Sequence, residues 1–247
     1  MTWHSPIFSN NRIRLGCLVT SICCLNLLTA ATVAGRVELK DSRDPAVRSK
    51  SNYSGIVISL LPLDKPPVLP PARATIRQKD KTFLPHILAV TAGTTVDFPN
   101  NDPIFHNAFS SYNGQIFDLS LYPPGSTRSV RFTRPGVVRV FCNIHASMSA
   151  VVVVLKTPYF AVSKRDGTFS IPDVPPGEYQ LSVFHERATD ASLRTLDQQV
   201  TVEQSSLDLP TISVSETGYL PTPHTNKYGQ PYPPVRDENQ IYPGARN

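Results

Sequence analysis

Cysteine is scarce in this 247-residue chain, and three of its four cysteines, Cys17, Cys23 and Cys24, fall in the first 34 positions. If that segment is a removable leader, Cys142 remains alone and an internal disulfide is excluded. Methionine is scarcer still, with only Met1 and Met148. No lysine or arginine block forms a phosphate-binding stripe, and the formal net charge is only +5, which argues against a nucleic-acid partner. A nucleophile elbow, an HExxH pair, a phosphate loop and a Rossmann glycine motif are all missing, so an enzyme is not expected. The six histidines are too few for the additional ligand clusters of a copper oxidase.

What is present begins with a leader. Arg12 and Arg14 precede an apolar run from Leu15 to Ala31, and small residues follow to Ala34. This pattern predicts a secretory signal over 1–34, cleaved near Ala34-Gly35. The competing reading is an uncleaved anchor. The run holds Thr20, Ser21, Asn26 and Thr29, however, and falls short of the ~20 apolar residues of a spanning helix. No integral membrane span is expected in the mature chain, and a lipobox is lacking around Cys17 and Cys24.

Prolines number 24 and glycines 12, which suits short strands joined by turns. The polar start at Lys40–Asp44 is followed by an apolar strand over Gly55–Leu61 and a proline-rich loop over Pro62–Pro71. From Phe83 to Leu155, β-branched and aromatic runs alternate with turn signals such as Ala92-Gly93, Pro123-Pro124-Gly125 and Pro135-Gly136. Ala150–Leu155 is a fully apolar strand. The pattern predicts an all-β chain: a first domain over 35–155 built on a sandwich or barrel of roughly seven or eight strands from Phe83 to Leu155, then a smaller sandwich over 156–214. The smaller unit carries an Asp166-Gly167 hairpin turn and a Pro175-Pro176-Gly177 turn. Residues 215–247 are rich in proline and tyrosine and poor in aliphatic residues, and are expected to be extended or disordered.

A solitary thiol in an oxidising compartment needs protection, either by burial or by metal ligation. Its neighbours favour a metal. Cys142, His145 and Met148 are spaced three apart in one interstrand loop, where the three side chains can converge. Thiolate, imidazole and a weak thioether suit copper, whose blue sites use two histidines, a cysteine and a distant methionine. His106, just after a strand, is the candidate second histidine, with Asn107 placed to orient it. Zinc is the rival metal, but methionine is a poor zinc ligand. A binuclear copper centre would want a second cysteine. His86 reads as a hydrogen-bonding loop residue. His185-Glu186 is structural, because adjacent strand residues face opposite ways. His4 lies in the leader and His224 in the tail, without a partner cluster.

The ligand loop, with its Cys-x-x-His-x-x-Met spacing, and the stretch from Phe83 to Leu155 resemble the cupredoxins, amicyanin among them. The motifs Phe83-Leu84-Pro85-His86, Val96-Asp97-Phe98-Pro99-Asn100, His106-Asn107, Phe117-Asp118-Leu119, Pro135-Gly136 and Cys142-Asn143-Ile144-His145 resemble a bacterial group of methylamine utilisation proteins. That resemblance implies a Greek-key β-sandwich, a periplasmic location and one type 1 copper ion on His106, Cys142, His145 and Met148. It also implies one-electron exchange with a redox partner protein through the edge of His145, Met148 tuning the potential. Ala146 stands where the group often has proline. Tyr159–Val202 is similar to transthyretin-like, carboxypeptidase-regulatory-like modules through Asp166-Gly167-Thr168-Phe169 and Val174-Pro175-Pro176-Gly177-Glu178-Tyr179, which implies a structural or docking module without chemistry. A copper carrier or store, and a non-redox scaffold, are the competing functions.

Overall fold

The computed structural model describes residues 1–2, 30–111, 114–220 and 224–232. Most of the expected leader therefore lies outside the described residues. No described helix is long and apolar enough to cross a membrane.

The chain opens with β1 (Ala31–Lys40), the short helix α1 (Pro45–Lys50) and β2 (Val57–Pro62). Asp44 caps α1 by accepting from the Ala46 amide, and Pro45 occupies the first turn, where its missing N–H costs nothing. Then come β3 (Arg73–Thr75), β4 (Arg77–Lys79), β5 (Thr82–Leu84), β6 (Ile87–Thr91) and β7 (Thr94–Pro99). They are followed by β8 (Phe109–Ser110), β9 (Phe117–Asp118), β10 (Thr127–Phe132), β11 (Gly136–Phe141) and β12 (Ser149–Leu155). The last stretch holds β13 (Phe160–Val162), β14 (Thr168–Val174), β15 (Gly177–Phe184), helix α2 (Asp190–Arg194), β16 (Gln198–Val202), β17 (Leu207–Asp208) and β18 (Ile212–Ser215). The chain is all-β, as its turn-rich pattern predicts.

The strands assemble into two β-sandwiches. In the first, the sheet β10-β7-β3 faces β6-β12-β11-β8-β9 across a core of Phe83, Val96, Phe98, Phe132, Val138, Val140 and Val152. In the second, β13-β2-β15-β16 faces a sheet in which β1 lies between β14 and the strands β17 and β18. Its core includes Val33, Val37, Ile58, Leu60, Ile171 and Leu181.

This partition differs from the contiguous division at residue 155. β1 and β2 belong to the second sandwich, each in the interior of a sheet, and the first sandwich is inserted between β2 and β13. The reason is burial. Ile58 and Leu60 have no partners in the strands that follow them directly and find them on β15, more than a hundred residues away. β1 also runs further back than the expected cleavage point. Ala31 and Val33 are buried and pair with Val174 and Ile171, so a cut after Ala34 would remove part of a paired strand. The Asp166-Gly167 turn is a corner between sheets rather than a hairpin, since β13 pairs with β2 and β14 with β1. Glycine is required there: φ is +84°, and a Cβ would stand 2.1 Å from the Val37 carbonyl oxygen.

The all-apolar β12 is explained by what lies on its two sides. Ala150, Val152 and Val154 enter the first core, while Val151 and Val153 pack with Val57 and Ala89 between the sandwiches, flanked by Phe160 and Phe184. An ion pair closes the same seam, with His86 Nε2 2.8 Å from Glu186 Oε2 and His86 Nδ1 donating to the Ser149 carbonyl. Beside it an open cavity of ≈ 380 Å³ is bounded by Asp44, His185 and Arg187, among others.

The Glu186 hydrogen bond raises the His86 pKa above its ordinary 6.5. Burial pushes Glu186 up, but the His86 bond and nearby positive charge bring it below its ordinary 4.5. The histidine's contribution to stability is complete below pH 6.5 and fades as pH rises through its raised value. The glutamate's contribution holds above 4.5 and is lost as pH falls through its lowered value. The pair therefore strengthens the seam between those limits, by about 0.2–1 kcal/mol because His86 is 44% exposed. In an NMR titration, Glu186→Gln is expected to lower the His86 midpoint; an unmoved midpoint would refute the pairing.

Candidate metal centre

The two sheets of the first sandwich bring their loops together at one end. β7 runs into Asn100, and the loop beyond it carries His106. β11 runs into Cys142, and a seven-residue loop returns the chain to β12. Phe141 pairs with Phe109, which sets the His106-Asn107 segment against the start of the cysteine loop.

Each loop is held by its own polar groups. Asn100, fully buried, donates from Nδ2 to the Ile104 carbonyl and accepts at Oδ1 from the Asp102 amide, so it folds the chain ahead of His106. The backbone of His106 exchanges two hydrogen bonds with Tyr122, whose hydroxyl donates to the Phe98 carbonyl and accepts from Gln78 Nε2. In the cysteine loop, the Cys142 amide donates to the Met148 carbonyl at 3.2 Å and the Met148 amide to the His145 carbonyl at 3.0 Å. Asn107 ties the loops together by accepting the Asn143 amide at 2.6 Å. It thus orients the cysteine loop rather than the histidine ring the sequence suggested.

The structure brings the expected cysteine and both expected histidines together. Cys142 Sγ lies 3.9 Å from His106 Nδ1 and 3.6 Å from His145 Nδ1, and one ligand atom from each residue falls within 4.8 Å of the others. Ligand bonds of about 2.0–2.3 Å at trigonal angles would separate such donors by roughly 3.6 Å. The set therefore fits a single ion, and no other such group of three occurs among the described residues. Met148 closes the loop through its backbone and is fully buried in the same apolar cluster as Cys142. His106 and Cys142 are also fully buried, and His145 is half-buried.

Protonation is arranged for ligation. The His106 Nε2–H donates to Asp102 Oδ2 at 2.7 Å, which leaves the Nδ1 lone pair facing the sulfur. Burial raises Asp102, but amide hydrogen bonds from Lys81 and Asp80 and the bond from His106 together outweigh it, so the carboxylate stays charged. Burial lowers His106 despite that carboxylate, and burial with the neighbouring His106 brings His145 down to about 4. Both rings are therefore neutral and able to ligate at neutral pH. Burial lifts the Cys142 thiol, while amides of Asn107, Ile144 and His145 offset part of that rise by favouring the thiolate.

His86 lies at the seam, outside this group. His185 and Glu186 do face different partners: His185 bonds Glu216, which also receives Ser42 and Arg187. Asp102 and Tyr122 escaped the sequence reading, and Asn100 entered it only within a motif, without a role. The His106–Asp102 spacing of four was the available sign. The tail also differs from expectation. His224 has partners, stacking on Phe141 and donating to the Ala146 carbonyl, and the described tail residues lie against the cysteine loop.

No family model and no curated protein matches the chain. Among solved structures it is similar to a purple cupredoxin from Nitrosopumilus maritimus, with 26% identity over 33% of this chain and 99% of that one and a TM-score of 0.30. It is also similar to a Cu-containing nitrite reductase from Thermus scotoductus SA-01, with 23% identity over 48% of this chain and 28% of that one and a TM-score of 0.33. A variant of amicyanin in its reduced Cu(I) form shares 21% identity over 33% of this chain and 80% of that one, with a TM-score of 0.31.

Proposed function

We propose that the chain is an exported, periplasmic type 1 copper protein of the cupredoxin kind that passes single electrons to a redox partner protein and is not itself an enzyme. One observation carries this reading: Cys142 Sγ, His106 Nδ1 and His145 Nδ1 converge, with the His106 tautomer set by Asp102. A thiolate with two imidazoles and a nearby thioether is the donor set of blue copper. Copper bound there supplies one-electron cycling between Cu(I) and Cu(II).

The chain's residues suit that exchange in three ways. The loops of His106 and Cys142 are anchored before any ion arrives, so little rearrangement accompanies a change of charge. Cys142 and Met148 are shut from water. His145, alone of the proposed ligands, retains solvent exposure and offers the path outward. Among the described residues the second sandwich brings no comparable donor cluster, and it is assigned a docking or structural role.

Copper(II)-loaded protein is expected to show an intense thiolate charge-transfer band and a narrow EPR hyperfine splitting, and to reduce and reoxidise reversibly on an electrode with copper retained. Copper lost on each reduction would make the protein a carrier. A colourless protein preferring zinc would sink the copper reading.

A further inference from the structure

The described part of the tail is a preformed loop seated on the metal-binding turn. Asn226 builds it: its Oδ1 accepts from the Tyr228 and Gln230 amides, and its backbone bonds both Gln230 and Gly229. Five contacts then fasten it. The Tyr232 hydroxyl donates to the carbonyl of Cys142 at 2.8 Å, and the Lys227 amide donates to Asn143 Oδ1 at 2.9 Å. His224 donates from Nε2 to the Ala146 carbonyl at 2.9 Å and stacks on Phe141, ring centroids 4.0 Å apart. Lys227 Nζ pairs with Asp118 on the neighbouring hairpin at 2.8 Å.

We propose that His224–Tyr232 is a clamp on the metal-binding loop, with Tyr232, His224 and Lys227 as positioning residues that keep Cys142 closed to solvent and hold the bound ion in place. For the ion, the proposal rests on the copper reading above; for the thiol it does not. Asn143 illustrates the design. Its amide is held from inside by Asn107 and its side chain from outside by the tail, so the peptide next to the sulfur is gripped on both sides. The Tyr232 bond falls on Cys142 itself. Loosening the tail frees three residues of a seven-residue loop, Cys142, Asn143 and Ala146, in a stretch where local opening governs access to a buried group.

The test uses the full chain in two states. In the metal-free protein, alkylation of Cys142 by iodoacetamide is expected to accelerate about tenfold in His224→Ala/Tyr232→Phe, the scale expected when two hydrogen bonds closing a loop are lost. Lys227→Glu should accelerate it less, and adding Asp118→Lys should restore the slow rate by rebuilding the ion pair in reverse. In the copper-loaded protein the same variants should transfer metal to a chelator faster and shift the EPR hyperfine splitting. If folded variants alkylate and release copper at the parental rate, the clamp is wrong. If none of the proteins develops a thiolate band yet the variants alkylate faster, the copper reading falls and the clamp stands. Should the double variant unfold, the charge reversal and its rescue decide, and a rescue that fails overturns the proposal.

Discussion

Cys142→Ala is expected to abolish the thiolate charge-transfer band completely and to leave any residual Cu(II) with the broad hyperfine splitting of a site without sulfur. No other described residue can substitute, because Cys142 is the only cysteine among them. The fold should survive. Removing one buried heavy atom from the first core costs about 1 kcal/mol, a modest shift in melting temperature. Wild-type absorption in the variant would mean that the colour arises elsewhere. Cys142→Ser is the harsher variant despite its closer shape, because it places a hydroxyl in a pocket whose polar partners are set out for a thiolate.

Asp102→Ala is expected to weaken copper binding about 10–100-fold, the effect of releasing the partner that orients a ligating imidazole. Without the carboxylate, His106 loses its reason to keep a proton on Nε2, and the tautomer with the proton on Nδ1 becomes populated. The substitution also strips an acceptor from the Asp80 and Lys81 amides, which adds about 1–3 kcal/mol of destabilisation. Asp102→Asn separates the two effects. Asn can present its single oxygen where Oδ2 now stands, serving both the His106 ring and the Lys81 amide, and lose only the Asp80 bond. It should therefore retain most of the affinity. Competition titration against a chelator reads both variants, and an alanine variant that binds like wild type would remove Asp102 from the site.

How much of this was legible in the sequence depends on chain separation. Cys142, His145 and Met148 could be read together because one short loop holds them, and the structure keeps that loop closed by its own hydrogen bonds. His106 was legible as a histidine following a strand, but its carboxylate partner was not. Asp102 becomes an acceptor only when the turn at Asp80-Lys81 folds against it. The apolar β12 was plain as a strand, yet its run could not disclose that Val151 and Val153 face a second sandwich.

The assignment of β1 and β2 was out of reach for the same reason. Alternation marks a strand but not its partner, and here Ser59 pairs with both Phe160 and Ser182. The contacts of residues 224–232 were not foreseen because their attachment uses no aliphatic burial. One stacked imidazole, one phenol, a lysine–aspartate ion pair and amide groups do that work, and composition registers none of them as cohesive.

The inserted arrangement of the sandwiches bears on the order in which the chain folds. β2 finds its partners β13 and β15 only after the whole metal-binding unit has been made, so the host sandwich waits on a long loop. Once that guest unit is compact, the chain enters and leaves it side by side, the Thr157 hydroxyl donating to the Leu60 carbonyl and the Leu60 amide to the Tyr159 carbonyl. A loop effectively tenfold shorter saves about 2 kcal/mol of closure entropy. The guest therefore serves as a splint for its host. A slow-folding guest, or one trapped without its ion, would be detected first as delayed closure of the host sandwich.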